Sequence, residues 1–140
     1  QQAKGRLGVR LDDGRELSVA CGNVQSLVDF QELPHKGIGA VAQLPLHAGA
    51  LIVRERPVLL GKLGCEPDRK QYRSLPSAKQ QAIFELSDAY AVPGSVEKTL
   101  DGIYSTNALP RGTTPEDTAL CLLASRFNHS CAPNAEYLWL

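Results

Sequence analysis

A polar stretch follows a short apolar run near the end of the chain. The run is ALCLL, at residues 119–123, and the stretch is RFNHSCAPN, at residues 126–134. Because a run of this kind is typical of a buried element, the polar groups after it must either reach the surface or find hydrogen-bond partners inside. Taken alone, such a cluster is more typical of a buried, satisfied polar network than of a catalyst.

The cysteine and histidine of this stretch suggest two kinds of chemistry, and their spacing argues against both. Residues two apart in an extended segment point to opposite faces, which disfavours a cysteine hydrolase built on His129 and Cys131. A zinc site needs more ligands than this stretch offers. The cysteines, at positions 21, 65, 121 and 131, include no CxxC pair. We therefore predict reduced thiols, no bound metal and an intracellular location, in the nucleus or the cytoplasm.

The composition indicates one ordinary globular domain without a strong electrostatic bias. Hydrophobic residues make up 43% of the 140, and 15 basic residues balance 15 acidic ones. A chain of this size can bury a single core, but it lacks the basic patch that nucleic-acid binders carry. No apolar run approaches the roughly 20 residues that a membrane span needs. We therefore predict neither a direct nucleic-acid partner nor a membrane partner.

The first part of the chain is predicted to consist of short antiparallel strands. Alternating segments flank an Asp-Asp-Gly turn at 12–14, which predicts a β-hairpin, and we assign residues 1–27 as an N-terminal extension. Farther on, AVAQL at 40–44 and ALIVRE at 50–55 predict two more strands. Pro57 limits the second strand because it has no amide hydrogen to donate.

The middle of the chain, at about 62–118, is predicted to be a helical insert. Within it, 77–108 should form two helices separated at Pro93-Gly94, the first beginning with a capping-box-like pattern at Ser77. The apolar run at 119–123 is compatible with either a further helix or a short buried strand. Strands followed by helices and a return to strand predict an α+β fold.

Two further motifs have both a structural and a ligand-binding interpretation. In HKGIGA, at 35–40, Gly37 and Gly39 would let a backbone approach a ligand closely, although short glycine motifs are also typical of turns between strands. The motif is not a dinucleotide fingerprint, because the third glycine and the following helix are absent. Asn107, in STNALP, could reach a ligand or cap the end of its helix.

The segment NHSCAPN resembles the NHSCxPN signature of SET-domain protein-lysine methyltransferases. The six matching positions are Asn128, His129, Ser130, Cys131, Pro133 and Asn134. The segment at 36–60 is similar to the family's opening, a GxG loop followed by strands that end in E-x-P. The helical middle resembles the insert of SMYD-like and fungal SET proteins. The resemblance covers about 28–140 and implies a partial SET domain.

This resemblance implies S-adenosylmethionine as the cofactor and a lysine-containing protein as the substrate. The positions that it assigns to the cofactor are Lys36, Gly37, Ile38, Gly39, Asn107, Asn128 and His129. Because Ser130, Cys131 and Pro133 match positions that are mainly structural, we predict that Cys131 is packed in the core.

Part of the family's pattern has no match in these 140 residues. In the family, a later segment carries a tyrosine that orients the substrate amine, and Tyr137 does not stand in its place. The resemblance therefore implies no catalytic residue here. We expect the N-terminal and middle part of a longer methyltransferase, inactive by itself and with at best weak cofactor binding. Its C-terminal end should be either highly mobile or in contact with a neighbouring chain. The alternative is a catalytically inactive SET-like module that serves as an interaction surface.

Overall fold

The computed structural model describes residues 6–10, 14–20, 26–92, 97–112, 114 and 116–139. The strands within these ranges are β1 Arg6–Arg10, β2 Glu16–Ala20, β3 Val28–Leu33, β4 Gly37–Ala42, β5 Leu59–Lys62, β6 Leu109–Pro110 and β7 Asp117–Leu120. The helices are α1 Arg69–Ser74, α2 Ser77–Phe84 and α3 Leu100–Asn107, followed by a short 3-10 helix, Ala124–Arg126. Helices and short strands coexist, so the predicted α+β class is confirmed.

The chain divides into two compact units. The first contains Gln1–Asp29 and Val41–Ala50, and the second contains Phe30–Ala40 and Leu51–Leu140. In the first unit, β1 and β2 pair antiparallel, with Arg6 opposite Ala20 and Arg10 opposite Glu16. This pairing matches the hairpin predicted from the sequence. That residues 1–27 form an extension of their own remains a prediction.

The second unit is built on a three-stranded antiparallel sheet in the order β5-β7-β6. In this sheet Leu59 lies opposite Leu120, and Leu109 lies opposite Ala119. The central strand β7 ends in three consecutive buried residues, Thr118 to Leu120. A strand buried on both faces reads as a continuous apolar run, which explains why the sequence pattern left helix and strand open here.

The core of this unit lies where α2 and α3 pack with the sheet. Its buried members are Val58, Leu59, Ile83, Leu86, Leu100, Ile103, Tyr104 and Leu120. Burial of each large apolar side chain stabilises the fold by about 1.5–3 kcal/mol. One polar contact is enclosed with them, since the Tyr104 hydroxyl lies 2.9 Å from the Thr118 hydroxyl. The sheet and the helices of this unit therefore share one core.

Several details differ from the sequence prediction. ALIVRE at 50–55 is not a strand, and the next strand, β5, begins only at Leu59, after Pro57. The first helix ends at Phe84 instead of continuing toward Pro93-Gly94, which lies outside the described residues, and its N-cap is Pro76 without a side-chain bond. An additional short helix, α1, precedes it and is capped by the carboxylate of Asp68. No helix among the described residues is long and apolar enough to span a membrane.

Asp88 joins the chain after α2 to the beginning of α3. Its carboxylate accepts hydrogen bonds from the backbone N–H groups of Thr99 and Tyr90, both at 2.9 Å. Thr99 in turn caps α3, because its hydroxyl accepts from the N–H of Gly102 at 3.0 Å. These donors, the Thr99 N–H foremost, favour the ionised carboxylate and hold the pKa of Asp88 below its usual 3.8.

We expect the substitution Asp88→Asn to remove part of the acid sensitivity of the fold. Because the pKa of Asp88 is lower in the folded state, the unfolded state takes up more protons as the pH falls. The stabilisation is therefore present above the ordinary carboxyl pKa and lost as the pH falls through the folded value. Urea unfolding from about pH 2 to pH 6 measures this dependence. The exposed Glu136→Gln is the matched control, and an unchanged pH slope in Asp88→Asn would contradict the assignment.

Candidate functional site

The HKGIGA motif lies in the turn between β3 and β4, which form a two-stranded sheet. His35 and Gly37 have positive φ angles of 60° and 64°, and the N–H of Lys36 donates to the carbonyl of Leu33 at 3.1 Å. A Cβ at position 37 would meet no atom within 4 Å, so this glycine serves the backbone conformation and not a close contact. The motif is therefore a strand connection, and its potential as a binding loop depends on Gly39.

Gly39 is buried against the side chain of Asn128. A Cβ at position 39 would collide with Nδ2 of Asn128 and would lie 2.6 Å from Cδ1 of Leu33. Only glycine leaves room for this approach. The structure thus brings the GxG motif and the NHSC segment together, as the resemblance implies for Gly39 and Asn128. That these residues bind a cofactor remains a prediction.

Two contacts anchor the segment that carries Asn128, one made by Phe127 and one by Ser125. The ring of Phe127 meets the ring of Phe30 on β3 edge to face, with centroids 6.0 Å apart and planes at 79°. Just before Phe127 lies the 3-10 helix Ala124–Arg126, in which the hydroxyl of Ser125 donates to the carbonyl of Asn107 at 3.0 Å. These contacts hold the segment near both β3 and the end of α3.

Asn107 ends α3 and is buried, with 9% of its surface exposed. Its side-chain amide donates to the carbonyls of Ser87 and Ile103, both at 2.7 Å. Since these two bonds use both amide hydrogens, only its side-chain oxygen could still contact a ligand. The two side-chain hydrogen bonds of Asn107 thus agree with its interpretation as a helix-end residue, and its role in cofactor binding stays a prediction.

A small cavity of about 50 Å³ lies beside these residues. The residues that line it are Ile38, Glu85, Leu86, Ser87, Asn107, Ser125 and Arg126. Arg126 is mostly enclosed, with 15% of its side chain exposed, and its guanidinium lies 3.5 Å from the carboxylate of Glu85. The sequence interpretation did not single out Arg126, although its position within RFNHSCAPN was a usable signal.

Glu55 is a second residue that the sequence interpretation missed. Its carboxylate accepts hydrogen bonds from three consecutive backbone N–H groups, those of Leu122, Leu123 and Ala124. The only signal in the sequence was its place in the E-x-P pattern of the resemblance. That pattern does not reveal a partner that lies so far along the chain.

The positions of His129 and Cys131 correct two predictions. Cys131 is exposed and not packed in the core, and its sulfur lies 3.6 Å from Nε2 of His129. The opposite-face argument assumed an extended segment, whereas the chain bends after His129. The bend is accompanied by a hydrogen bond from the N–H of Ala132 to the hydroxyl of Ser130 at 3.2 Å. Histidine and cysteine can therefore meet on one side.

The three described cysteines differ in their surroundings. Cys65 and Cys131 are exposed and Cys121 is buried. Burial, with a smaller contribution from the charge of Glu55, raises the pKa of the Cys121 thiol to about 11. The described residues include no group of three or more His, Cys, Asp or Glu side chains placed to hold a metal ion.

These surroundings predict selective thiol chemistry. At about pH 8, we expect iodoacetamide to modify Cys65 and Cys131 in the folded protein while Cys121 is still unmodified. Only about one Cys121 thiol in a thousand is ionised at that pH, and it is shielded from reagent. Peptide mass spectrometry measures the modification, and the same reaction in urea, where all thiols are accessible, is the control. Modification of Cys121 in the folded protein at the rate of Cys65 would contradict its burial.

Comparison with known proteins places this geometry in context. Histone-lysine N-methyltransferase set5 of Schizosaccharomyces pombe is 30% identical over 107 residues, which are 76% of this chain and 32% of that protein. The chain thus spans about a third of the length of that relative. No family model matches the chain, and no solved structure does. The similarity supports a SET-like methyltransferase family, with which the small α+β fold of short antiparallel strands is compatible.

Proposed function

We propose that the protein containing this chain transfers a methyl group from S-adenosylmethionine to a lysine of a protein substrate. The observation that carries the proposal is the approach of Asn128 to Gly39, which joins the two motifs assigned to the cofactor. The similarity to a histone-lysine methyltransferase supports the reaction class. Histones are one candidate substrate, and other lysine-containing proteins are equally consistent with the chain.

The described residues fit such a cofactor by their chemistry. S-Adenosylmethionine, when bound, supplies a methyl group on a positively charged sulfur. On the protein side, Ile38 presents an apolar side chain with 45% of its surface exposed, and Lys36 presents an exposed ammonium group. Asn128 offers an amide that both donates and accepts. An apolar face, a cation and an amide suit a ligand that combines an aromatic base, a carboxylate and hydroxyl groups.

The substrate half of the reaction is not assigned to residues of this chain. A lysine amine has an ordinary pKa of about 10.4 and must lose its proton before it can attack. Apolar surroundings lower that pKa by disfavouring the ammonium form. Lys36, Ile38 and Asn128 could bind and orient the cofactor. The groups that exclude water from the lysine amine and orient it are expected elsewhere in the whole protein.

Binding measurements on matched asparagine variants test the proposal. We expect titration calorimetry with S-adenosylhomocysteine, the stable product, to show one site in the wild-type protein. Asn128→Ala should weaken this binding by about tenfold or more, since a polar contact to the ligand is lost. Asn134→Ala, an exposed asparagine of the same segment, is the matched control and should stay within about twofold.

A radiolabelled methyl-transfer assay on histones and on other proteins tests the reaction itself. The assay uses the longest natural form of the protein that contains this chain, and transfer to lysine supports the proposal. Cofactor binding without transfer to any protein would favour the inactive interaction module. The absence of both binding and transfer would overturn the proposed function.

A further inference from the structure

The carboxylate of Glu55 makes four hydrogen bonds to backbone N–H groups. Oε1 accepts from Leu122 at 2.8 Å and from Leu123 at 3.1 Å. Oε2 accepts from Leu123 at 2.9 Å and from Ala124 at 3.0 Å. Because both oxygens are used, the orientation of the carboxylate relative to this turn is fixed, and bonds to an ionised acceptor are stronger than those between neutral groups.

The place of these bonds explains why a carboxylate is suited to them. The three N–H groups lie at the start of the 3-10 helix Ala124–Arg126, where the first amides of a helix have no partner within the helix. Glu55 therefore fixes where the helix begins and the direction in which it points.

Three of the residues that follow make contacts at the candidate site. Ser125 donates to the carbonyl of Asn107, Arg126 lies beside Glu85, and Asn128 lies against Gly39. The anchor made by Glu55 stands immediately before this series. A shift of the turn at Leu122–Ala124 would therefore be transmitted to Asn128 through only a few residues.

We propose that Glu55 is a positioning residue for the candidate cofactor site. By holding the turn before the 3-10 helix, it sets the approach of Asn128 to Gly39 and hence the affinity for the ligand. This inference rests on the proposed function for its ligand. The hydrogen bonds that carry it do not depend on that function, and hydrogen exchange measures them without a ligand.

Two substitutions separate the contributions of charge and reach. Glu55→Gln preserves the length but replaces one accepting oxygen with an NH₂ group, which would face the backbone donors of Leu123 and Ala124. Glu55→Asp preserves both oxygens and the charge but is shorter by one methylene group. We expect the aspartate variant to keep part of the anchor and the glutamine variant to lose most of it. The exposed Glu116→Gln is the matched control.

Hydrogen exchange of the purified protein tests the anchor directly. We expect the N–H groups of Leu122, Leu123 and Ala124 to exchange slowly in the wild-type protein and in Glu116→Gln. In Glu55→Gln their exchange should be about tenfold faster or more, because the acceptor is lost. Rapid exchange of these amides in the wild-type protein would overturn the inference without the need for a folded variant.

Ligand binding tests the positioning role. The affinities are compared at a temperature where circular dichroism shows all variants to be folded. We expect Glu55→Gln to bind S-adenosylhomocysteine at least about tenfold more weakly than the wild-type protein, and Glu55→Asp to be intermediate. A purely structural role would lower the melting temperature and leave the affinity of the folded protein unchanged, and that outcome overturns the inference. If the wild-type protein and Glu116→Gln also fail to bind, the positioning role is overturned, and the absence of methyl transfer as well would overturn the proposed function.

Discussion

Gly39→Ala is expected to weaken the binding of S-adenosylhomocysteine by about tenfold or more, as Asn128→Ala is. The new methyl group would occupy the space that the amide of Asn128 now fills, so the amide must move away. A displaced amide no longer makes its polar contact with the ligand, so the loss should resemble that of removing the amide. The colliding atoms are the ends of movable side chains, Nδ2 of Asn128 and Cδ1 of Leu33, so the fold itself should survive. Titration calorimetry measures the affinity, and urea unfolding measures the stability.

A double-substitution cycle identifies the source of the effect. If the collision with Asn128 is the cause, Gly39→Ala and Asn128→Ala together should bind no more weakly than Asn128→Ala alone. In the matched control, Leu33→Ala takes the place of Asn128→Ala in the cycle, because it relieves the second close contact and leaves the amide in place. An affinity of Gly39→Ala within about twofold of the wild-type value would show that the approach of these two residues does not matter for binding.

The sequence predicted the two halves of the candidate site better than it predicted their contacts. The approach of Asn128 to Gly39 was expected from a resemblance and not from local pattern, because hydrophobic periodicity says nothing about residues far apart in the chain. Glu55 was missed for the same reason. Its partners are backbone amides of a remote turn, and no side-chain pattern marks a free N–H group.

The fold was predicted at the level of class and less well at the level of elements. Helix was correctly expected within 77–84, but ALIVRE at 50–55 has strand propensity without a strand partner. Propensity for strand is decided by what lies beside the segment, which tertiary structure determines. Cys131 was wrongly predicted to be buried, because that prediction rested on the resemblance alone and the residue is exposed. The opposite-face argument failed for a local reason: a bend, with the N–H of Ala132 bonded to the hydroxyl of Ser130, replaces the assumed extended chain.

Ile103→Ala is expected to lower the free energy of unfolding by about 2–5 kcal/mol. Ile103 lies on α3, has no exposed surface and belongs to the core shared by the helices and the sheet. Its truncation removes buried methyl groups and leaves a cavity that close-packed neighbours can fill only in part. The substitution keeps the backbone carbonyl of Ile103, which accepts a hydrogen bond from the side-chain amide of Asn107, so the expected loss is one of packing.

Urea unfolding monitored by circular dichroism measures this loss as a lower midpoint at unchanged slope. Ile103→Val removes one methylene group and should lower the free energy of unfolding by only about 0.5–1.5 kcal/mol. Leu63→Ala, at a leucine with 70% of its surface exposed, is the matched control and should stay within about 0.5 kcal/mol of the wild type. An Ile103→Ala variant as stable as this control would show that α3 does not pack into the core.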